Sequence, residues 1–129
     1  MAIKALSVLV TGSSGFVGAP LARQLADEGH KVVGLDIKPP EQQPAPFTAL
    51  NGSVCDVDLV HHLFEAHRFD AIVHCGGISG PMVIPDDPYQ ECETNIFGTT
   101  HLLEASRLNR VARCVLSNRP ASRFAIGRL

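Results

Sequence analysis

A glycine-rich turn between a strand-like and a helix-like segment, residues 6–18, constrains the fold of this chain most. Residues 6–10 form a short apolar run rich in β-branched side chains, which is typical of a buried strand. Three glycines follow at intervals of three: Gly12, Gly15 and Gly18. Apolar residues then recur at helical spacing: Val17, Leu21 and Leu25. Such a turn brings unpaired backbone N–H groups and the positive end of a helix dipole to one point, and so predicts a pyrophosphate site.

An acidic residue at the end of the next predicted strand supports a dinucleotide site. The segment Lys31–Asp36 reads as a strand, and its terminal carboxylate lies eighteen residues after Gly18. A carboxylate at that place can accept hydrogen bonds from both ribose hydroxyls of an adenosine. Lys38 could approach a ribose 2′-phosphate, but Asp36 would repel that phosphate, so the sequence favours NAD over NADP. The alternative is a glycine turn in an ordinary α/β protein, with Asp36 as a cap.

The remaining pattern alternates strands and helices. Predicted helices cover about 16–28, 59–67 and 88–108, and further predicted strands cover 47–54, 70–75 and 113–116. Asp87 and Pro88 open the last helix as N-cap and first helical residue. Right-handed crossovers between these strands predict an α/β fold, a doubly wound parallel sheet of the Rossmann type. A second glycine loop after the fourth strand, around Gly76 and Gly77, places a ligand crevice beside the first.

Composition and charge exclude several classes of partner. A length of 129 residues indicates one domain or part of one, and a net charge of −2 gives no basic field for nucleic acid or anionic membrane. No apolar run has membrane-spanning length and no signal peptide precedes the first strand, which predicts a cytoplasmic protein. The four cysteines form no Cys-x-x-Cys and read as buried reduced thiols, with disulfides as the alternative. The histidines of the second helix lack zinc spacing, so no metal site is predicted.

The motifs resemble those of the extended short-chain dehydrogenase/reductases of the NAD-dependent epimerase/dehydratase type, over their N-terminal cofactor-binding part only. Residues 11–18 are similar to that family's Thr-Gly-x-x-Gly-x-x-Gly loop, 74–77 to its strand-end motif, and 95–99 to its Asn-x-x-Gly-Thr helix. The resemblance implies an NAD-binding oxidoreductase or isomerase acting on a sugar nucleotide or related hydroxyl or carbonyl substrate, commonly as a homodimer. It implies these cofactor-binding residues: Gly12, Ser14, Gly15, Phe16, Val17, Gly18, Asp36, Asp56, Val57, Cys75, Gly76, Gly77 and Asn95.

The resemblance ends at the catalytic residues. The family continues after its fifth strand with a catalytic hydroxyl and a Tyr-x-x-x-Lys pair, whereas this chain continues Ser117, Asn118, Arg119. Tyr89 is the single tyrosine and Lys38 the last lysine, so no catalytic residue is assigned and Ser117 is only a weak remnant. Without a proton donor and acceptor, hydride transfer loses roughly 10²–10⁴ in rate, which predicts that this chain alone is inactive.

Three readings of the chain therefore remain open. Residues 1–117 are predicted to be a partial NAD-binding Rossmann domain that stops after about the fifth strand, followed by a divergent tail at 118–129 with no substrate domain. The chain is then the cofactor part of an enzyme, a catalytically inactive dinucleotide-binding module or truncated or frame-shifted fragment of such an enzyme, or a stable α/β domain with a protein-interaction role. A small-molecule substrate is expected only in a full-length relative. An open apolar surface containing some of Ile96, Leu102 and Leu103 is expected to favour self-association.

Overall fold

A parallel five-stranded sheet forms the centre of the computed structural model, which describes residues 3–41, 43–78 and 87–117. The strands are β1 Ser7–Thr11, β2 Lys31–Asp36, β3 Thr48–Asn51, β4 Ala71–His74 and β5 Arg113–Leu116. Their order in the sheet is β3-β2-β1-β4-β5, and every neighbouring pair is parallel. This arrangement confirms the predicted doubly wound Rossmann topology.

The helices lie on the two faces of this sheet. They are α1 Gly18–Asp27, α2 Val57–Ala66, α3 Pro88–Cys92 and α4 Gly98–Leu108, with a π-helical turn at Glu93–Phe97 joining the last two. Successive residues of a strand point to opposite faces, so Leu9 of β1 packs in the cluster that includes α2 and α4. Val8 and Val10 pack in the other cluster, against Ala22 of α1. Both faces of β1 are covered, which explains its continuous apolar sequence.

The strand order reverses between β1 and β4, and this reversal positions the candidate site. Chain connections leave β1 toward β2 on one side and return to β4 on the other, so a crevice opens above the carboxyl ends of β1 and β4. The register pairs Thr11 with His74 at that edge. The two glycine-containing loops that follow these strands therefore lie side by side.

Several predicted boundaries shift for local reasons. The first helix begins at Gly18 rather than at residue 16, because residues 12–17 form the turn. The second begins at Val57, because the Asp56 side chain accepts a hydrogen bond from the Leu59 N–H at 3.0 Å and acts as N-cap. The third strand ends at Asn51 rather than at residue 54. The predicted caps of the last long helix are confirmed, since Asp87 accepts from the Gln90 N–H and Pro88 is the first helical residue.

One expectation about burial is confirmed and one is wrong. Of the three residues expected to contribute to an open apolar surface, Ile96, at 59%, and Leu103 are exposed, whereas Leu102, at 2%, belongs to the core. Val17 is 52% exposed, because α1 begins at Gly18 and buries Gly18 and Ala22. The cysteines in the described part of the chain are free thiols, as predicted, but Cys92 and Cys114 are exposed instead of buried.

Candidate functional site

The glycine turn after β1 is fixed by backbone contacts that exclude side chains. Gly12 has φ +68°, and a Cβ added there would lie 2.7 Å from the backbone of Cys75 and Gly76. A Cβ on Gly18 would overlap the carbonyl oxygen of Gly12, so α1 packs against the turn only because residue 18 is glycine. Gly15 is exposed, and its N–H donates to the Gly12 carbonyl at 3.0 Å. The turn therefore offers bare backbone to anything that approaches the start of α1.

The carboxylate of Asp36 is held beside this turn by two backbone groups. Its Oδ2 accepts from the Ser14 N–H and its Oδ1 from the Lys38 N–H, both at 2.9 Å. The Ser14 hydroxyl in turn donates to the Lys38 carbonyl at 2.8 Å. These bonds fix the orientation of the carboxylate, while each oxygen keeps a further lone pair for a ligand donor.

Two clefts meet above the carboxyl ends of β1 and β4. The first, here the Asp36 cleft, has a volume of about 400 Å³ and includes Ser53 and Val54 in its walls. The second, here the His74 cleft, has a volume of about 620 Å³ and includes Thr99 and Leu116. Both are bounded by the same six residues: Gly12, Gly15, Cys75, Gly76, Gly77 and Ile78. An elongated ligand lying in both clefts would therefore cross the glycine turn at its middle.

A connected set of side-chain hydrogen bonds forms the floor of the His74 cleft. The Thr11 hydroxyl lies 2.5 Å from His74 Nδ1, and His74 Nε2 lies 3.0 Å from the Thr99 hydroxyl. The Gly76 N–H donates to the Thr11 hydroxyl at 3.1 Å. Burial lowers the pKa of His74, and burial also raises the pKa of the adjacent Cys75 thiol, an effect that its hydrogen bond with Ser117 opposes. Both side chains are therefore neutral at pH 7.

Asn95 holds the loop after β4 from the helix side. Its Oδ1 accepts from the Ile78 N–H and its Nδ2 donates to the Ile78 carbonyl, both at 2.8 Å. Asn95 lies in the π-helical turn Glu93–Phe97. Single π-helical turns within α-helices occur frequently at functional sites. This clamp places Gly77, which has φ +156°, directly against the amide.

Most of the cofactor-binding residues predicted from the sequence lie in these two clefts. Those in one or both clefts are Gly12, Ser14, Gly15, Phe16, Val17, Gly18, Asp36, Cys75, Gly76, Gly77 and Asn95. Asp56 and Val57 lie outside the linings of both, because Asp56 caps α2 and Val57 is exposed on that helix. Their predicted contact with a nucleotide base stays a prediction.

The sequence reasoning missed three lining residues, Ser53, Val54 and Thr99, and also Thr11, which is buried in contact with His74. Ser53 and Val54 follow the end of β3 directly, so their position at the carboxyl edge of the sheet was a usable signal. Thr11 and Thr99 matter through contacts with His74, which depend on strand register and helix packing. No local pattern in the sequence indicates those contacts.

Few side chains here are suited to proton transfer. Ser117 is in the wall of the His74 cleft, and its N–H donates to the His74 carbonyl at 3.0 Å. Tyr89, the single tyrosine of the sequence, is exposed on α3 and is in the wall of neither cleft. Asn118, Arg119 and the rest of the predicted tail at 118–129 lie outside the described residues. Within the described ranges, no three His, Cys, Asp or Glu side chains group as metal ligands would.

None of the helices in the described ranges combines the length and the apolar character that a bilayer crossing requires.

Comparison with known proteins gives one family match. The model of the NAD dependent epimerase/dehydratase family matches residues 8–118. A UDP-glucose 4-epimerase of Yersinia pestis is 31% identical over 121 residues, covering 86% of this chain and 36% of that protein. A 2-alkyl-3-oxoalkanoate reductase of Stenotrophomonas maltophilia is 30% identical, covering 90% of this chain and 34% of that protein. The chain thus spans little more than a third of these relatives.

Solved structures show the same fold. The Bordetella bronchiseptica enzyme WbmH, in complex with NAD+, superposes with a TM-score of 0.76 at 31% identity, covering 86% of this chain and 38% of that one. An epimerase from Methanothermobacter thermautotrophicus superposes with a TM-score of 0.83 at 25% identity, covering 95% and 38%.

Proposed function

This chain belongs to the NAD-dependent epimerase/dehydratase family, and we propose from that premise that residues 1–117 bind NAD across the two clefts. The observation that carries the proposal is the fixed carboxylate of Asp36 beside a glycine turn common to both clefts. WbmH, a relative of matching fold, is known in complex with NAD+.

The chain's own residues fit the parts of a dinucleotide. The start of α1 suits the pyrophosphate, since the unpaired N–H groups of its first turn and the helix dipole favour an anion there and Gly15 has no side chain to block the approach. The free lone pairs of Asp36 suit the ribose hydroxyls of the adenosine, which would then lie in the Asp36 cleft. The nicotinamide end would occupy the His74 cleft, near Thr99 and Ser117.

Asp36 also determines the preference between the two nicotinamide dinucleotides. Its carboxylate faces the place of the ribose 2′ position, so the 2′-phosphate of NADP would meet a fixed negative charge. The Lys38 side chain is exposed, and its backbone N–H already serves the same carboxylate. We therefore assign NAD as the cofactor.

The reaction class follows from the family and from the cofactor. Bound NAD supplies hydride exchange with a substrate carbon. We propose that the parent activity is an epimerase/dehydratase-type oxidation or isomerisation of a sugar nucleotide or a related hydroxyl or carbonyl compound, as the UDP-glucose 4-epimerase and oxoalkanoate reductase relatives suggest. The 129 residues contain no Tyr-x-x-x-Lys, so we expect them to bind NAD without turning over substrate.

Calorimetric titration tests this assignment. We expect NAD to bind more tightly than NADP, and Asp36→Ala to weaken NAD binding by about 1.5–3 kcal/mol, the value of hydrogen bonds to a charged group. Asp27→Ala is the matched control, because Asp27 is exposed at the opposite end of α1. Absence of NAD binding, or equal loss in both variants, would contradict the proposal. Formation of NADH from a sugar nucleotide by this chain would contradict the expectation of no turnover.

A further inference from the structure

The proposed function gives no role to His74, the buried histidine at the end of β4. His74 is 6% exposed, and both of its ring nitrogens have hydrogen-bond partners. It lies between the strand that carries the glycine turn and the helix that carries Asn95. Its contacts therefore connect the two sides of the His74 cleft.

The directions of these hydrogen bonds can be worked out from the backbone. The Gly76 N–H can only donate, and it donates to the Thr11 hydroxyl. The Thr11 hydrogen is then free for His74 Nδ1, which must accept it. On the other side the Thr99 hydroxyl donates to the Asn95 carbonyl at 2.6 Å, as helical threonines commonly do. Its lone pair then faces His74 Nε2, which must carry a hydrogen.

One tautomer satisfies every member of this chain of bonds. With the hydrogen on Nε2, both hydroxyls donate once and accept once. With the hydrogen on Nδ1, the Thr11 hydroxyl would receive two donors, and its own hydrogen would lose its acceptor. The Nε2–H tautomer is therefore the one that the surrounding groups select.

We propose that His74, neutral and in the Nε2–H tautomer, is a positioning residue that holds the floor of the nicotinamide end of the site. The inference rests on the proposed NAD function. Through Thr11 the ring fixes the Gly76 N–H, and through Thr99 it fixes the Asn95 carbonyl in the π-helical turn. The Asn95 side chain then holds both backbone groups of Ile78. The loop after β4 is thus tied to β1 and to the helix at the same time.

The surroundings of His74 offer no partner for a positive charge. Among the described residues, β5 and the helix contribute Leu116, Ser117, Asn95 and Thr99 to the walls of its cleft, and Thr11 of β1 contacts the ring; none of these side chains is charged. Cys75 is the other titratable group there, and its raised pKa keeps the thiol neutral.

Protonation of His74 would make Nδ1 a donor facing the Thr11 hydroxyl. The Thr11 hydroxyl would then face two donors, His74 Nδ1 and the Gly76 N–H, and Thr11 would no longer hold Gly76 in the same way. NAD affinity is therefore expected to fall as the pH drops through the pKa of His74 in the folded chain, which burial holds below the ordinary histidine value of about 6.5, with a slope of at most about tenfold per pH unit for one proton.

The tautomer can be measured without any ligand. In the ¹⁵N-labelled chain, long-range ¹H–¹⁵N correlation spectra distinguish protonated from unprotonated ring nitrogens, and His74→Gln identifies the signals. We expect a hydrogen on Nε2 and none on Nδ1 at about pH 7.5, well above the ordinary histidine pKa. The opposite tautomer, or rapid exchange between the two, would overturn the inference.

The positioning role can be measured by NAD titration from about pH 7.5 down to the pH at which the ¹⁵N spectra show His74 protonated. Thr99→Val removes the hydroxyl and should weaken NAD binding about threefold to tenfold, the value of one neutral hydrogen bond, whereas Thr99→Ser should restore it. The acid-dependent loss should disappear in His74→Gln and persist in His62→Gln, a change at an exposed histidine of α2.

The outcomes separate the two proposals. Absence of NAD binding at every pH would overturn the proposed function and this inference with it. Binding that stays equally tight while the ¹⁵N spectra show His74 becoming protonated, or an acid-dependent loss that survives in His74→Gln, would overturn the inference alone. A loss of affinity on acidification that His74→Gln abolishes would support both.

Discussion

The Asp36 cleft and the His74 cleft are lined by the same four glycines, but the polar side chain that characterises each cleft is held in a different way. At the Asp36 cleft a carboxylate is fixed by two backbone N–H groups, from Ser14 and Lys38. At the His74 cleft a neutral imidazole is fixed by two hydroxyls, from Thr11 and Thr99. The first arrangement depends on charge and is open to a ligand, whereas the second depends on the direction of neutral hydrogen bonds and is buried.

Because of this difference, the two clefts should respond differently to acid and to substitutions. The hydrogen bonds that hold Asp36 come from backbone N–H groups, which are donors at every pH. A buried imidazole with no charged partner loses its hydrogen-bond pattern on protonation. We therefore expect substitutions of residues that line both clefts to weaken ligand binding in both. Substitutions of residues that line one cleft should weaken binding mainly in that cleft.

The largest effect is expected at Gly12, which belongs to both clefts. Gly12→Ala would place a methyl group 2.7 Å from the backbone of Cys75 and Gly76 at φ +68°. The left-handed backbone costs about 1–2 kcal/mol and the overlap about 1–3 kcal/mol more. Denaturant unfolding should show this loss of stability, and NAD titration should show loss of binding.

Gly29→Ala is the matched control for that change. Gly29 also has a positive φ, +91°, but a Cβ there meets no atom within 4 Å. It should lose only about 1–2 kcal/mol, the cost of the backbone conformation, and keep NAD binding. Equal losses of stability at the two glycines would show that the contact with the β4 loop does not matter.

An intermediate effect is expected at Asn95, which acts on the loop after β4. Asn95→Ala removes both side-chain bonds to Ile78 and should lower the free energy of unfolding by about 1–3 kcal/mol. NAD should bind more weakly, while AMP, which would reach only the Asp36 cleft and not Asn95 itself, should lose less affinity. Asn51→Ala, at an exposed position ending β3, is the control. Equal weakening of AMP binding would mean that the two clefts are not separable.

The smallest effect is expected from acid on stability. Because burial lowers the pKa of His74 in the folded chain, the unfolded chain binds its proton first as the pH falls. The contribution of His74 to the free energy of unfolding is therefore fully present above about pH 6.5 and declines below it, by at most about 1.4 kcal/mol per pH unit. Thermal unfolding of the wild type and of His74→Gln, measured above and below about pH 6.5, tests the direction of this change in stability. A steeper decline in the variant would contradict it.

The sequence predicts the part of the site that local pattern encodes. Gly12 and Gly18 are recognisable because a turn of this shape excludes a Cβ, and Asp36 is recognisable because a charged residue ends an apolar strand. The five parallel strands follow from short apolar runs separated by helical periods. The fold class and the Asp36 cleft were therefore predictable to within a few residues.

The rest depends on contacts between residues distant in the chain. Thr11 and His74 face each other because of strand register, and Thr99 reaches the same ring because α4 packs beside β4. Val17 shares a helical spacing with Leu21 and Leu25 in the sequence, but the turn delays the start of α1 to Gly18 and leaves Val17 exposed. The register of two strands and the residue at which a helix begins depend on tertiary contacts, so the periodicity of the sequence alone does not determine them.

The central claim is that the two clefts form one site for one dinucleotide. The most direct test is to follow backbone ¹H–¹⁵N signals of the labelled chain during addition of NAD or of AMP. We predict that NAD shifts the signals of Ser14, Asp36, Thr99 and Ser117 together, whereas AMP shifts those of Ser14 and Asp36 and leaves those of Thr99 and Ser117 unchanged. Shifts from NAD confined to one cleft, or lying outside both, would contradict it.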